Sequence, residues 1–74
     1  MKIKKAYFVI DGEWGMDIPN IYDENEMDKR IAESLGVLSE YDFNCIGEAE
    51  TKIDARAMYE RQIQMERIDI AFGW

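Results

Sequence analysis

The spacing of apolar and polar residues predicts where this chain forms its first strands. Residues 6–10 are the most apolar and most β-prone run, and they end at an Asp-Gly pair, Asp11 and Gly12. Apolar residues then alternate with glycine or aspartate as far as Ile18. Asp-Gly between two such runs is typical of a type I′ turn, which needs positive φ at both central residues. The pattern predicts an N-terminal β-hairpin within residues 3–18.

Two helices are predicted from apolar residues at helical spacing and from capping residues. Asp23, followed three residues later by Glu26, forms the Asp-x-x-Glu version of a capping box. The first helix is therefore expected over residues 24–35, with Gly36 in the left-handed conformation that ends many helices. The second helix is expected to follow a cap at Thr51 and to reach about residue 66, because residues 52–66 contain no glycine or proline.

Two further stretches alternate with a period of two, as half-buried strands do. Residues 41–45 predict a third strand with Cys45 on its buried face, and residues 67–74 favour a last strand over a continuation of the second helix. The order β-β-α-β-α-(β) predicts an α+β fold in one domain, residues 1–74. The expected architecture is a small two-layer sandwich with both helices packed on one face of an antiparallel or mixed sheet.

The second helix carries apolar residues on two faces. Ile53 and Met65 fall on one side, whereas Tyr59 and Ile63 fall on the other. A helix of this kind is either enclosed in a core or shared with a partner. Tyr59 and Ile63 could lie under the terminal segment, or they could form a self-association seam together with Trp74.

Charge is concentrated in one block of the chain. The net charge is −7, and residues 11–50 hold twelve acids against two bases, a local balance of −10. Such a field repels nucleic acid and attracts basic surfaces. Direct binding to nucleic acid is therefore not expected. The alternative interpretation is that the acids only keep a small domain soluble.

The sequence lacks the residues that enzymes and cofactor sites use. It contains no histidine and a single cysteine, and its five glycines form no phosphate-binding loop. The acids after Tyr22 do not fit the register of a calcium-binding loop. We therefore expect no enzymatic activity, no cofactor and no metal. No run approaches the about 18 apolar residues of a membrane span, and residues 1–10 lack the apolar length of an export signal, so a cytoplasmic protein is expected.

Binding to another protein is the class of function that remains. The candidate surface consists of the acids of residues 11–28 and two interleaved aromatic residues: Asp11, Glu13, Trp14, Asp17, Tyr22, Asp23, Glu24, Glu26 and Asp28. In size and charge the chain is similar to the small acidic inhibitors that phages and mobile elements direct against restriction or CRISPR machinery. The resemblance implies an inhibitor that occupies a basic, nucleic-acid-binding surface as a nucleic-acid mimic. The alternative is a self-associating structural or regulatory subunit, such as a homodimer.

Overall fold

The structure, a computed structural model, describes residues 3–71 of the chain and the side chains of residues 3–68. Its strands and α-helices are β1 (Lys5–Ile10), β2 (Tyr22–Asp23), α1 (Glu24–Glu33), β3 (Phe43–Ala49) and α2 (Lys52–Ala71). The three strands form one antiparallel sheet in the order β2-β1-β3. The predicted α+β class and the order β-β-α-β-α are confirmed.

The second strand lies further along the chain than the hairpin pattern predicts. Phe8 of β1 lies opposite Tyr22, so residues 11–21 connect the two paired strands. Asp11–Glu13 form a turn of 3₁₀-helix instead of a type I′ turn. The Asp11 carboxylate accepts a hydrogen bond of 2.7 Å from Nδ2 of Asn44 on β3. Asp11 is therefore fixed by a neighbouring strand, and the chain leaves β1 without reversing on itself.

α1 begins with the predicted capping box. The Glu26 N–H donates to Asp23 Oδ1 at 2.8 Å, and the Asp23 N–H donates to Glu26 Oε1 at 3.4 Å. The helix ends at Glu33, before the predicted end at residue 35, and the side chain of Ser34 bonds back to the last turn. There the Ser34 hydroxyl donates to the Ile31 carbonyl at 2.6 Å.

β3 begins at Phe43, and a β-bulge changes which of its residues face the core. Gly47 lies opposite Tyr7, but Cys45 lies opposite Phe8, which leaves Ile46 as an extra residue. Cys45 lies opposite Phe8 on the face of the sheet away from Tyr7 and Val9 and is exposed, whereas Ile46 belongs to the buried cluster. The predicted burial of Cys45 is therefore wrong.

The core lies between α2 and one face of the sheet. Its buried members are Tyr7, Val9, Ile21, Ile46, Ala49, Ala55, Tyr59 and Ile63. The core face of α2 repeats every four residues at Ala55, Tyr59 and Ile63, whereas Ile53 and Met65 on its outer side are exposed. α1 follows β2 directly and contacts β1 and β2.

α2 continues where the sequence pattern favours a last strand. The helix runs to Ala71, so the predicted strand is wrong from residue 67 to that point. Glu66 and Arg67 lie one turn beyond Ile63, and both bind the segment that follows β1. These contacts extend the packing of the helix. The rest of the predicted strand, residues 72–74, lies outside the described residues.

Replacement of Gly47 by alanine is expected to destabilise the fold by about 1–2 kcal/mol. Gly47 has φ +138°, which is strained for any L side chain, and an added Cβ would lie 2.6 Å from Met58 Cε. The flexible tip of Met58 can move aside, so the backbone accounts for most of the loss. Urea unfolding of Gly47→Ala measures it. Gly12→Ala is the control, because Gly12 has no positive φ and nothing within 4 Å. Equal loss in both variants would contradict this explanation.

Candidate binding surface

The segment after β1 is held by one buried hydroxyl of α2. Tyr59 is 1% exposed, and its hydroxyl donates to the Met16 carbonyl at 2.7 Å and accepts from the Gly15 N–H at 3.0 Å. The ring of Trp14 packs edge-on against the Tyr59 ring with centroids 5.1 Å apart. Residues 14–16 therefore contact α2. In the predicted hairpin, their backbone groups would instead pair with β1.

The aromatic and acidic residues of this segment also have partners near the end of α2. Trp14 Nε1 donates to the Glu66 carboxylate, with distances of 3.0 and 3.3 Å to its two oxygens. Arg67 donates to the Gly15 carbonyl at 3.2 Å and lies 3.5 Å from Asp17 Oδ1. Trp14 and Asp17, both predicted to bind a partner, therefore hold the chain's own fold together.

Most of the predicted acidic surface has a partner within the chain. The carboxylates bonded in this way are Asp11, Glu13, Asp17, Asp23 and Glu26. Glu13 accepts from the Asn20 N–H at 3.0 Å, and Glu26 pairs with Lys52 Nζ at 2.9 Å. These five acids have local structural roles whatever else they bind.

Glu24 and Asp28 are different from the other predicted acids. Both are exposed on α1, and neither carboxylate makes a hydrogen bond or ion pair with any other described residue. They lie four residues apart, where two like charges destabilise a helix by about 0.2–0.5 kcal/mol. The first two turns of α1 therefore present to solvent two carboxylates that have no partner among the described residues.

The predicted acids do not form one continuous patch. Asp17 lies beside Arg67, whereas Glu26 lies beside Lys52 at the other end of α2. Arg67 lies fifteen residues after Lys52 in α2, which corresponds to about 22 Å at 1.5 Å per residue. The structure brings the four acids of residues 23–28 together and separates them from Asp17.

The remaining predicted site residues lie in or beside hydrophobic contacts. Tyr22 is half-buried and packs edge-on against Phe43, with ring centroids 5.6 Å apart. Tyr59 and Ile63 are buried in the chain's own core, so they offer no surface for a seam with a second copy. Trp74 lies outside the described residues.

The sequence did not identify the most exposed apolar side chains. Leu35, Val37 and Tyr41 are 92%, 81% and 89% exposed. All three belong to the α1–β3 loop, which we define as residues 34–42. Val37 follows Gly36 in an apolar pair with Leu38, a pattern that suggests burial under the sheet. Only the structure shows that Val37 faces solvent.

The described residues show few features of a small-molecule site. Residues 3–68 contain no group of three or more histidine, cysteine or acidic side chains that could hold a metal ion. None of the helices in the described part of the chain has the length and apolar character to cross a membrane. Compared with known proteins, the chain matches no family model, no curated protein and no solved structure.

Tyr59→Phe is expected to destabilise the protein by about 1–3 kcal/mol, because it leaves the Gly15 N–H and the Met16 carbonyl without their partner. Chemical denaturation measures the free energy of unfolding. Tyr41→Phe is the matched control, since its side chain is exposed and should unfold like the wild type. A Tyr59→Phe protein as stable as the control would show that the buried hydroxyl does not hold the segment.

Removing different acids at the start of α1 is expected to have unequal effects on stability. Asp23→Ala deletes the cap and should cost about 1 kcal/mol. The double variant Glu24→Gln/Asp28→Asn removes two charges that have no partner among the described residues, so its stability should change by less than about 0.5 kcal/mol. Thermal and urea unfolding compare the two. A large loss in the double variant would mean that these carboxylates have a structural role.

Proposed function

We propose that this protein is a small, non-enzymatic binding module that docks its acidic α1 side on a basic surface of a partner protein and blocks nucleic-acid binding there. The observation that supports the proposal is the exposed pair Glu24 and Asp28, which has no cation partner among the described residues. Around this pair, residues 23–42 hold seven acids against two bases, a net charge of −5.

The arrangement of charge on α1 differs from one that serves solubility alone. Surfaces of that kind mix both signs, and α2 follows this rule with Arg56 paired to Glu60 at 3.3 Å. The N-terminal half of α1 instead places Glu24 and Asp28 one turn apart. The helix dipole favours Glu24 near the N-terminus, but it gives little support to Asp28. A basic partner would remove the repulsion between them.

A partner surface that binds nucleic acid fits this field. Opposite charges steer association and make it strongly dependent on salt, because screening acts over about 8 Å at physiological ionic strength. The similarity in size and charge to phage-borne inhibitors of restriction and CRISPR machinery supports the same class of partner. In this proposal the protein competes with nucleic acid for one basic groove.

The test begins with recovery of partners by the tagged full-length chain from cell lysate at about 50 mM and about 500 mM salt, a range over which exposed charges become screened. A basic partner should be retained at low salt and displaced by a DNA duplex. Its affinity is then measured for Asp28→Lys and Glu60→Lys, which change the net charge equally. Lys at position 28 can pair with Glu24 at the favourable helical spacing, so α1 should stay folded.

Asp28→Lys is expected to weaken binding at least about tenfold, whereas Glu60→Lys should weaken it less than about threefold. The difference should disappear at high salt. Equal effects of the two variants, or no effect of either, would contradict docking through α1.

A self-associating subunit is the second candidate, and the outer side of α2 favours it. Ile53, Met65 and Ile68 are all more than half exposed there. The face is the opposite of the one predicted, which contains the buried Tyr59 and Ile63. A chain that recovers only copies of itself and sediments as a dimer would support this candidate over the first.

A further inference from the structure

We propose that the α1–β3 loop is the apolar anchor of the interface and inserts Leu35, Val37 and Tyr41 into an apolar pocket with a basic rim on the partner protein. The inference rests on the proposed function, because it concerns the same partner. It assigns a second, non-electrostatic part of the contact surface to residues that the charge pattern does not include.

Exposure is the first observation. Single exposed apolar residues are common on protein surfaces. Here three large ones, each more than 80% exposed, fall within seven residues of one loop. Concentrated apolar surface rimmed by polar residues marks sites of interaction with other proteins. Tyrosine is also among the residues that contribute most to the affinity of protein interfaces.

The loop is held in one conformation at both ends. The Ser34 hydroxyl accepts from the Leu38 N–H at 3.0 Å, and the Val37 N–H donates to the Ser34 carbonyl at 3.2 Å. At the other end, the Ser39 N–H donates to the Asp42 carboxylate at 2.8 Å. The apolar side chains are therefore presented on an ordered backbone, which lowers the entropy lost on binding.

Backbone strain at Leu35 is the second, independent observation. Its φ is +54°, and it is the only described non-glycine residue with positive φ. The left-handed conformation costs an L residue about 1–2 kcal/mol and is usually left to glycine or asparagine. Leu35 gains no burial in return, since it is the most exposed large apolar residue described. A left-handed residue is common at this position, directly after the helix cap Ser34, so the unusual feature is an exposed leucine there instead of glycine or asparagine.

Charge selects the occupant of this surface. Glu33 and Glu40 flank the apolar residues, and both are exposed without a cation partner among the described residues. A second copy would bring the same acids and a net charge of −7 against them, which opposes self-association. Nucleic acid and anionic lipid are repelled for the same reason. A basic protein surface with an apolar pocket complements both the acids and the exposed apolar side chains of the loop.

Photo-crosslinking in cells tests the location without knowledge of the partner. A photoreactive phenylalanine analogue replaces Tyr41 in the full-length tagged chain, and the same analogue replaces the exposed Ile53 on α2 as the control. The expected product, from position 41 alone, is a crosslink to apolar residues bordered by lysine or arginine in another protein. The crosslink should be lost when a DNA duplex competes. No crosslink, a crosslink to a second copy, or equal crosslinks from both positions would overturn the proposal.

The affinity of the basic partner separates this inference from the proposed function. Leu35→Asn should weaken binding at least about tenfold, mainly through faster dissociation and at both low and high salt. It should not reduce stability, because asparagine tolerates the left-handed conformation. Ile53→Asn is the control and should bind like the wild type.

The pattern of failure identifies which proposal is wrong. If Asp28→Lys weakens binding but Leu35→Asn does not, the anchor is wrong and the acidic surface stands. If Leu35→Asn weakens binding but Asp28→Lys does not, the loop is the binding surface and the electrostatic proposal is wrong.

Discussion

The fold depends on the position of the Tyr59 hydroxyl. That one group binds the backbone of residues 15 and 16 from inside the core and places Trp14 against the ring of the same tyrosine. Because a buried polar group without a partner is costly, these bonds determine the path of the chain after β1. The segment that follows β1 lies along α2, and the strand that pairs with β1 at this edge is Tyr22–Asp23. Arg67 extends the same contact from the next turn of α2, where the sequence pattern suggests a strand.

The sequence predicted features whose partners are close in the chain and failed where they are distant. The capping box of Asp23 and the Thr51 cap each join residues three positions apart, so the local sequence contains both partners. Asp11 instead bonds a residue 33 positions away, and Trp14 bonds one 52 positions away. Nothing in the pair Asp-Gly distinguishes a free turn from one held by β3. The pairing of Cys45 with Phe8 is equally non-local, and it places Cys45 on the exposed face of the sheet instead of the predicted buried one.

The number and position of charged residues in the sequence predicted the acidic surface only in part. Of the seven acids predicted to bind a partner, five are already bonded within the chain, and this cannot be read from their number or spacing. The two acids that remain are both on α1: Glu24 directly follows the capping residue Asp23, and Asp28 lies one turn later. The exposed apolar residues of the α1–β3 loop were missed for a related reason. An apolar pair after Gly36 suggests burial, and only the exposure of Leu35, Val37 and Tyr41 in the structure shows that these side chains face solvent.

The free acids and the apolar loop lie at opposite ends of α1, which suggests a division of roles. Glu24 and Leu35 are eleven residues apart, or about 16 Å if the helical rise is continued. One partner surface of ordinary size spans that distance. Acids attract a basic surface over a range of several ångströms and raise the rate of association, whereas apolar contacts act only on touching and slow dissociation. Strain at Leu35 is compatible with a stable protein because Leu35 lies outside the core that Tyr59 organises. The same separation would let the proposed binding surface change without altering the fold.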